Sequence, residues 1–218
     1  MVKNLVLLLV CFTSVSWGAK PPLYIQLPSG QHQLLLDDYL VGALYRVERR
    51  INQPVKFEGN PILSADKPWE KGPGPWWNSG TQKVIQIRSA PCWDFEEEVW
   101  KLWYIAEDKT GHKTAYARSQ DGLHWEKPIL GKREYEGSRE NNLVVVDGDS
   151  DAFIQHVLLD PDAPPERRYK GFIGARNRRP VISADGYVFT KLDVSPIPSQ
   201  DESHLTYDEV RKQFIATV

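Results

Sequence analysis

One short motif occurs twice in this chain, and its recurrence narrows the possible folds more than any other feature. Ser119-Gln120-Asp121-Gly122-Leu123-His124-Trp125 returns 64 residues further on as Ser183-Ala184-Asp185-Gly186-Tyr187-Val188-Phe189. A run of strand-like character precedes each copy, first Trp100 to Tyr104 and then Tyr169 to Ile173. A third such run opens at Arg211-Lys212-Gln213-Phe214-Ile215. The Asp-Gly pair supplies the positive-φ positions of a tight hairpin turn. The Ser hydroxyl and Asp carboxylate can bond turn amides, and the closing aromatic can fold back between sheets. The motif therefore reads as a structural device rather than as catalytic machinery. A unit of this length that holds several strands and repeats along the chain suggests propeller blades.

The rest of the chain fits an all-β reading. Candidate strands are Leu34 to Tyr39, Val84 to Ile87, Val99 to Ile105, Thr114 to Arg118, Leu143 to Val146, Phe153 to Leu159, Tyr169 to Ile173 and Val181 to Ser183. Turn clusters such as Lys71-Gly72-Pro73-Gly74-Pro75 and Asp160-Pro161-Asp162 separate them. Short strands with this punctuation argue for a sandwich, barrel or propeller. No amphipathic helix stands out, and Asp208 to Phe214 reads as a turn followed by a strand. Eight Trp and nine Tyr suit β-structure, sugar-stacking surfaces, or both.

The first residues suggest export. Lys3 gives a positive start, Leu5 to Val10 is an apolar run, and Ser16-Trp17-Gly18 offers small residues for cleavage after Gly18. The run is too short to span a bilayer, and Val10 before Cys11 argues against a lipoprotein signal. The expected location is secreted or periplasmic. Removal of residues 1–18 would leave Cys92 alone, without an internal disulfide. A net charge of -2 gives no attraction to nucleic acid or to an anionic membrane, and the basic run Arg176 to Arg179 reads as a solvated turn. The expected organisation is a signal peptide at 1–18, a leader and first-blade entry at 19–77, and an incomplete propeller at 78–218. Its blades would span about 78–128, 142–192 and 201–218, stopping before a ring could close.

Propeller sites lie on the axis, where the innermost strands begin. Three stretches would meet there: Trp76-Trp77-Asn78, then Asp149-Ser150-Asp151 followed by Gln155 and His156, and finally Asp201-Glu202-Ser203-His204. Cleavage of a glycosidic bond needs two carboxyl groups, one protonated as acid and one ionised as base or nucleophile. Asp151 and Glu202 are the candidates, with Glu70 as a possible third acid. Trp76 and Trp77 would stack on sugar rings, and Asn78, Asp201 and His204 would line the site. His32, His112 and His124 read as exposed or structural. No metal is expected, because there is no His-Glu-x-x-His and no cysteine pair. No cofactor is expected either: the chain has neither a glycine-rich phosphate loop nor a Gly-x-Ser-x-Gly elbow.

Several motifs occur in an order that resembles a known superfamily. They are Asn60-Pro61-Ile62-Leu63, Lys67-Pro68-Trp69-Glu70, Trp103-Tyr104, Ala117-Arg118-Ser119-x-Asp121-Gly122-x-x-Trp125-x-Lys127-Pro128, Asn141-Asn142, Asp160-Pro161 and Arg168-Tyr169-Lys170. Together they are similar to the five-bladed propeller glycoside hydrolases, in particular secreted proteins resembling the N-terminal domain of family 32; families 43 and 130 share the superfamily. The resemblance implies a carbohydrate partner and three acids, one from the inner strand of each of the first three blades, acting as base or nucleophile, modulator and acid. Asp151 and Glu202 match blades two and three. Blade one departs, because Asn78 stands where an Asp is expected; Glu70 or Asp66 would have to substitute. The Asn-Asp-Pro-Asn motif of invertases is absent. A sialidase Asp box is one residue longer than either copy of the repeat. The alternatives to a glycosidase are a non-catalytic carbohydrate-binding propeller and an inactive gene fragment.

Overall fold

The computed structural model describes residues 25–27, 29–30, 32–34, 36–72, 85–149, 152–201 and 203–217. They fall into two compact units, one ending at Val55 and one running from Lys56. The described residues of the first unit form neither helix nor strand. Of Leu34 to Tyr39, expected to be a strand, residues 36–39 instead enter a turn in which the Val41 amide donates to the Asp38 carbonyl and the Tyr39 amide to Asp37 Oδ1. The local Asx bond outcompetes strand pairing here, since Asp side chains offer the backbone a partner of their own. Leu34, Leu36 and Tyr39 are largely exposed.

The second unit is all-β. Among its described residues the only helices are two three-residue 3₁₀ turns, Pro68–Glu70 and Pro165–Arg167, and no helix is long and apolar enough to cross a membrane. The first sheet comprises β1 (Ile85–Gln86), β2 (Cys92–Asp94), β3 (Val99–Asp108) and β4 (Gly111–Ser119). β3 and β4 form a long antiparallel hairpin from Trp100↔Ser119 to Asp108↔Gly111. β1 and β2 share the other edge of β3, as an interrupted strand. The second sheet comprises β5 (Val145–Val146), β6 (Ile154–Leu159), β7 (Tyr169–Ile173), β8 (Arg179–Ser183) and β9 (Val188–Lys191), in the order β5-β9-β8-β7-β6. β6 to β9 are an antiparallel meander, and β5 joins parallel to β9. β10 (His204–Asp208) and β11 (Gln213–Thr217) form a final hairpin. Successive antiparallel meanders of this kind are the blade pattern of a propeller.

Most strands lie within a few residues of their expected positions; β2 and β9 are additions that periodicity does not reveal in such short runs. The stretch before β6 also behaves differently from an inner strand. The Val144 and Tyr116 amides bond to the Thr114 and Asn142 carbonyls, so 142–144 pairs along the outer edge of β4 before β5 crosses to β9. This segment stitches one sheet to the next. Between the sheets lies a core of Trp103, Tyr116, Val144, Ile154, Tyr169 and Phe189. On its other face the first sheet buries Tyr104, Ala106, Ala115, Ala117 and Leu143 beneath Trp69. The two faces follow from the two-residue period of β3.

Both copies of the repeated motif form the same turn. Ser119 Oγ accepts from the Gly122 amide at 2.9 Å, and Asp121 Oδ1 accepts from the Leu123 and His124 amides at 2.8 Å. In the second copy the Gly186 amide donates to Ser183 Oγ at 2.9 Å, and the Tyr187 and Val188 amides to Asp185 Oδ1 at 2.8 and 2.9 Å. Gly122 and Gly186 sit at φ 75° and 76°, a region that side chains with a Cβ avoid. Phe189 is fully buried, as a residue folding back between sheets should be.

Candidate functional site

The free edges of the sheets meet. Ser89, between β1 and β2, donates from Oγ to the Gln155 carbonyl at 3.1 Å and accepts from the Val157 amide at 2.8 Å. This ties the edge of the first sheet to β6. One step further, His156 Nε2 lies 3.1 Å from Ser203 Oγ, and the His156 and His204 rings meet edge to face at 5.9 Å. β6 is thus flanked by the first sheet on one side and by the start of β10 on the other.

Polar groups are concentrated where apolar ones would be expected. Gln155, His156 and Arg178 are 3%, 2% and 0% exposed. Arg178 donates to Gln155 Oε1 at 2.9 Å, to the Gln200 carbonyl at 2.5 Å and to the Asp201 carbonyl. The basic run was expected to be a solvated turn, and for Arg178 that expectation is corrected: its guanidinium is the bolt between β6 and the segment that enters β10. A planar fork of donors suits this task, since one side chain can satisfy several carbonyls at once. Burial, with His204 and Arg178 nearby, lowers the His156 pKa to about 4. The imidazole is therefore neutral near pH 7, with one nitrogen donating and the other accepting.

Asp201 and His204 lie at this junction, both exposed. Trp76, Trp77, Asn78, Asp151 and Glu202 lie outside the described residues. Asp149 forms an ion pair with Lys191 at 3.2 Å, at the rim of the second sheet.

Glu70 is not at this junction. It is 0% exposed, and four donors occupy its two oxygens. Oε2 accepts from the Asp66 and Lys67 amides at 2.8 and 2.9 Å and from Lys127 Nζ at 2.8 Å; Oε1 accepts from the Tyr104 hydroxyl at 2.6 Å. Tyr104 in turn accepts from Asn142 Nδ2 at 2.8 Å, and Trp69 Nε1 donates to Asn142 Oδ1 at 2.9 Å. A carboxylate saturated in this way has no lone pair left for a substrate. Glu70 is the centre of a clasp that pins the Pro68–Glu70 turn to the first sheet. Asp66, the other suggested substitute, pairs with Lys127 at 2.6 Å in the same clasp.

A second buried network joins the two sheets at their other end. Asp94, 0% exposed, accepts from Tyr169 Oη at 2.8 Å, from Arg168 at 3.1 Å to each oxygen, and pairs with Lys101 at 2.9 Å. Burial alone would raise its pKa, but the bonds from Lys101 and Tyr169 hold it at about 2. Cys92 next to it is pushed up to about 11 by burial and so stays a thiol at neutral pH. Sequence reading missed this network and Arg178 alike. The only signal was a set of charged residues inside strand-like runs, where a paired charge and an exposed one look the same. Among the described residues, no group of three or more His, Cys, Asp and Glu is placed to hold a metal ion.

No protein-family model matches the chain. No curated protein matches it. Among solved structures it is similar to the β-fructofuranosidase of Schwanniomyces occidentalis complexed with fructosyl-erythritol, at 15% identity and a TM-score of 0.43, over 61% of this chain and 29% of that one. It is similar too to a variant fructofuranosidase of the same organism complexed with fructosylnystose, at 16% identity and a TM-score of 0.43, over 61% of this chain and 28% of that one. The chain spans less than a third of the length of either enzyme.

Proposed function

We propose that this chain belongs to a glycoside-hydrolase-like protein that acts on carbohydrate outside the cytoplasm, with its site on the axis of a five-bladed propeller. The observation that carries this reading is the meeting of three strand edges around the buried polar side chains Gln155, His156 and Arg178. An all-β core does not bury such groups without a partner or a task. Arg178 grips the backbone immediately before residue 202, and His156 lies in the strand that follows residue 151. Asp151 and Glu202 are the acids of this reading. One activates water and the other protonates the leaving oxygen as the glycosidic bond breaks, so that one water is consumed. Trp76 and Trp77 stack on the sugar, while Asn78, Asp201 and His204 line the site. Export follows from residues 1–18, and Edman sequencing of protein recovered from the periplasm or medium should begin at Ala19.

The test is hydrolysis of a panel of plant and algal glycosides by the protein and its Asp151→Asn and Glu202→Gln variants. Each variant should lose about 10²–10⁴-fold in turnover. Equal activity in all three proteins, or none in any, would sink the reading. The second reading is a carbohydrate-binding propeller without catalysis, favoured by Asn78 at the position of an expected acid and by the commitment of Glu70 to its clasp. It requires sugar binding that survives loss of both Asp151 and Glu202 and disappears in Trp76→Ala.

A further inference from the structure

β10 and β11 form a two-stranded sheet of their own and do not extend the β5–β9 sheet. A lone hairpin is marginally stable in water and needs a surface to pack on. Here the surface is β6, and the hold on it is slight. Of the residues in β10 and β11 only Leu205 is buried. Tyr207 Oη donates to Asp162 at 2.7 Å and Lys212 pairs with Asp162 at 2.9 Å, both on the exposed side. Lys170 Nζ lies over the Phe214 ring at 5.3 Å. Exposed pairs of this kind contribute little. The buried polar ties run through Arg178, which grips the Gln200 and Asp201 carbonyls, and through His156, which meets Ser203 and His204.

His156 is the titratable member of this junction. The charges that act most on its ring are all positive: His204 on β10, Arg178 at the entry to β8, and Arg88 between β1 and β2. The Arg88 backbone works the other way, favouring the charged ring. A proton on His156 would place a cation among cations in a site that is 2% exposed. Burying a charge without an opposite partner is costly. The bond to Ser203 is not what changes, because a hydroxyl can accept as readily as it donates. Leaving β6 relieves the cost: His204 moves away and water reaches the ring. The ties between the two larger sheets respond differently. The bonds of Ser89 to β6 and of Trp103 to the Gly186 carbonyl do not titrate, and Asp94 keeps its charge down to about pH 2.

We propose that His156 is an acid-sensitive latch: when it takes a proton, the β10–β11 hairpin leaves β6 while the two larger sheets stay folded. His204 belongs to this hairpin and Asp201 precedes it, so release carries both away from β6. The direction follows from linkage. The docked ring titrates at about 4 and a free one at 6.5. Docking is therefore fully favoured above pH 6.5 and weakens as the pH falls toward 4. Between pH 7 and pH 4.5 the docking equilibrium weakens roughly 50- to 100-fold.

The experiment is hydrogen exchange of the full chain by mass spectrometry at pH 7, 5.5 and 4.5, with each rate referred to that of the chain unfolded in urea at the same pH. Wild type is compared with H156Q and H204Q. In wild type, protection of 204–217 should fall roughly 50- to 100-fold by pH 4.5, while 99–119 keeps its protection. H156Q should show no such fall, since its amide can still meet Ser203 and takes no proton. H204Q removes one of the facing cations and should release the hairpin at a lower pH than wild type. Full protection of 204–217 at pH 4.5 in wild type would overturn the latch. So would loss of protection in 99–119 alongside 204–217, which marks global unfolding, or a fall in H156Q equal to that in wild type. If H156Q does not fold, H204Q decides: release at the wild-type pH overturns the proposal, and release at a lower pH upholds it.

Discussion

Two buried glutamates are held differently: Glu70 by four hydrogen-bond donors, and Glu107 by the His112 imidazole, whose Nε2 lies 3.2 Å from Oε2. Glu70 ends a Lys-Pro-Trp-Glu motif, and Glu107 carries no motif at all. The donors to Glu70 are two amides, Lys127 and Tyr104. The clasp draws on several motifs at once: Lys67 to Glu70, Tyr104, Lys127 and Asn142 all belong to it. These residues are bonded to one another, so their task in this chain is to hold the fold. Glu70→Gln takes one of two carboxylates from Lys127, which keeps Asp66 and the Ser64 carbonyl, and should cost about 1.5–3 kcal/mol of stability. Urea denaturation followed by tryptophan fluorescence measures this loss. A change under 1 kcal/mol, on the order of an exposed pair, would show that the clasp is not needed.

Among the elements, the two copies of the turn solve one problem in two ways. In the first copy the Gly122 carbonyl accepts from Trp125 Nε1, within the same turn, at 3.0 Å. In the second copy Phe189 takes the place of that Trp and has no N–H to give. The Gly186 carbonyl accepts instead from Trp103 Nε1 of the first sheet at 2.7 Å. What is a local bond in one blade becomes a bolt between blades in the next. The glycines differ accordingly. A Cβ on Gly122 would meet only the Trp100 ring at 3.9 Å, whereas one on Gly186 would lie 2.8 Å from Trp103 Cζ2. Gly122→Ala should cost about 1–2 kcal/mol, the strain of positive φ alone. Gly186→Ala adds a collision with a buried indole and should cost about 3 kcal/mol or more. Equal losses in thermal unfolding would contradict this account of the interface.

For the whole molecule, the charged and polar junctions between sheets make stability depend on pH. His156 has its pKa lowered to about 4 by burial and by the charges of His204 and Arg178, against 6.5 for a free imidazole. A depressed folded value means that the unfolded chain takes the proton more readily. This contribution is complete above pH 6.5 and is lost as the pH falls toward 4. The shift corresponds to about 3 kcal/mol. Asp94, held at about 2, adds a separate loss at lower pH, between its ordinary range near 4 and its folded value. Stability by urea unfolding should therefore fall in two steps on acidification. The His156→Gln variant should lack the first step and keep the second. A wild-type protein as stable at pH 4.5 as at pH 7 would refute the assignment.

Much of this protein can be read from its residues in order. The Ser-x-Asp-Gly turns, their recurrence and the strand runs before them depend on bonds between residues two or three apart, so composition and spacing report them directly. Misreadings arose where local rules compete: Asp37 drew residues 36–39 into a turn, and charge alone placed Arg178 in solvent. Of the three stretches named for the site, Asp201 and His204 are described, beside β6, while Trp76, Trp77, Asn78, Asp151 and Glu202 lie outside the described residues. How fully the Glu70 carboxylate is bonded was not legible. Two of the four donors to Glu70 are amides four and three positions away, but the other two, Tyr104 and Lys127, stand 34 and 57 positions away. Turn chemistry acts over a few bonds and is written in the chain; hydrogen-bond satisfaction in a core depends on which distant groups packing brings within 3 Å, and only the tertiary structure decides it.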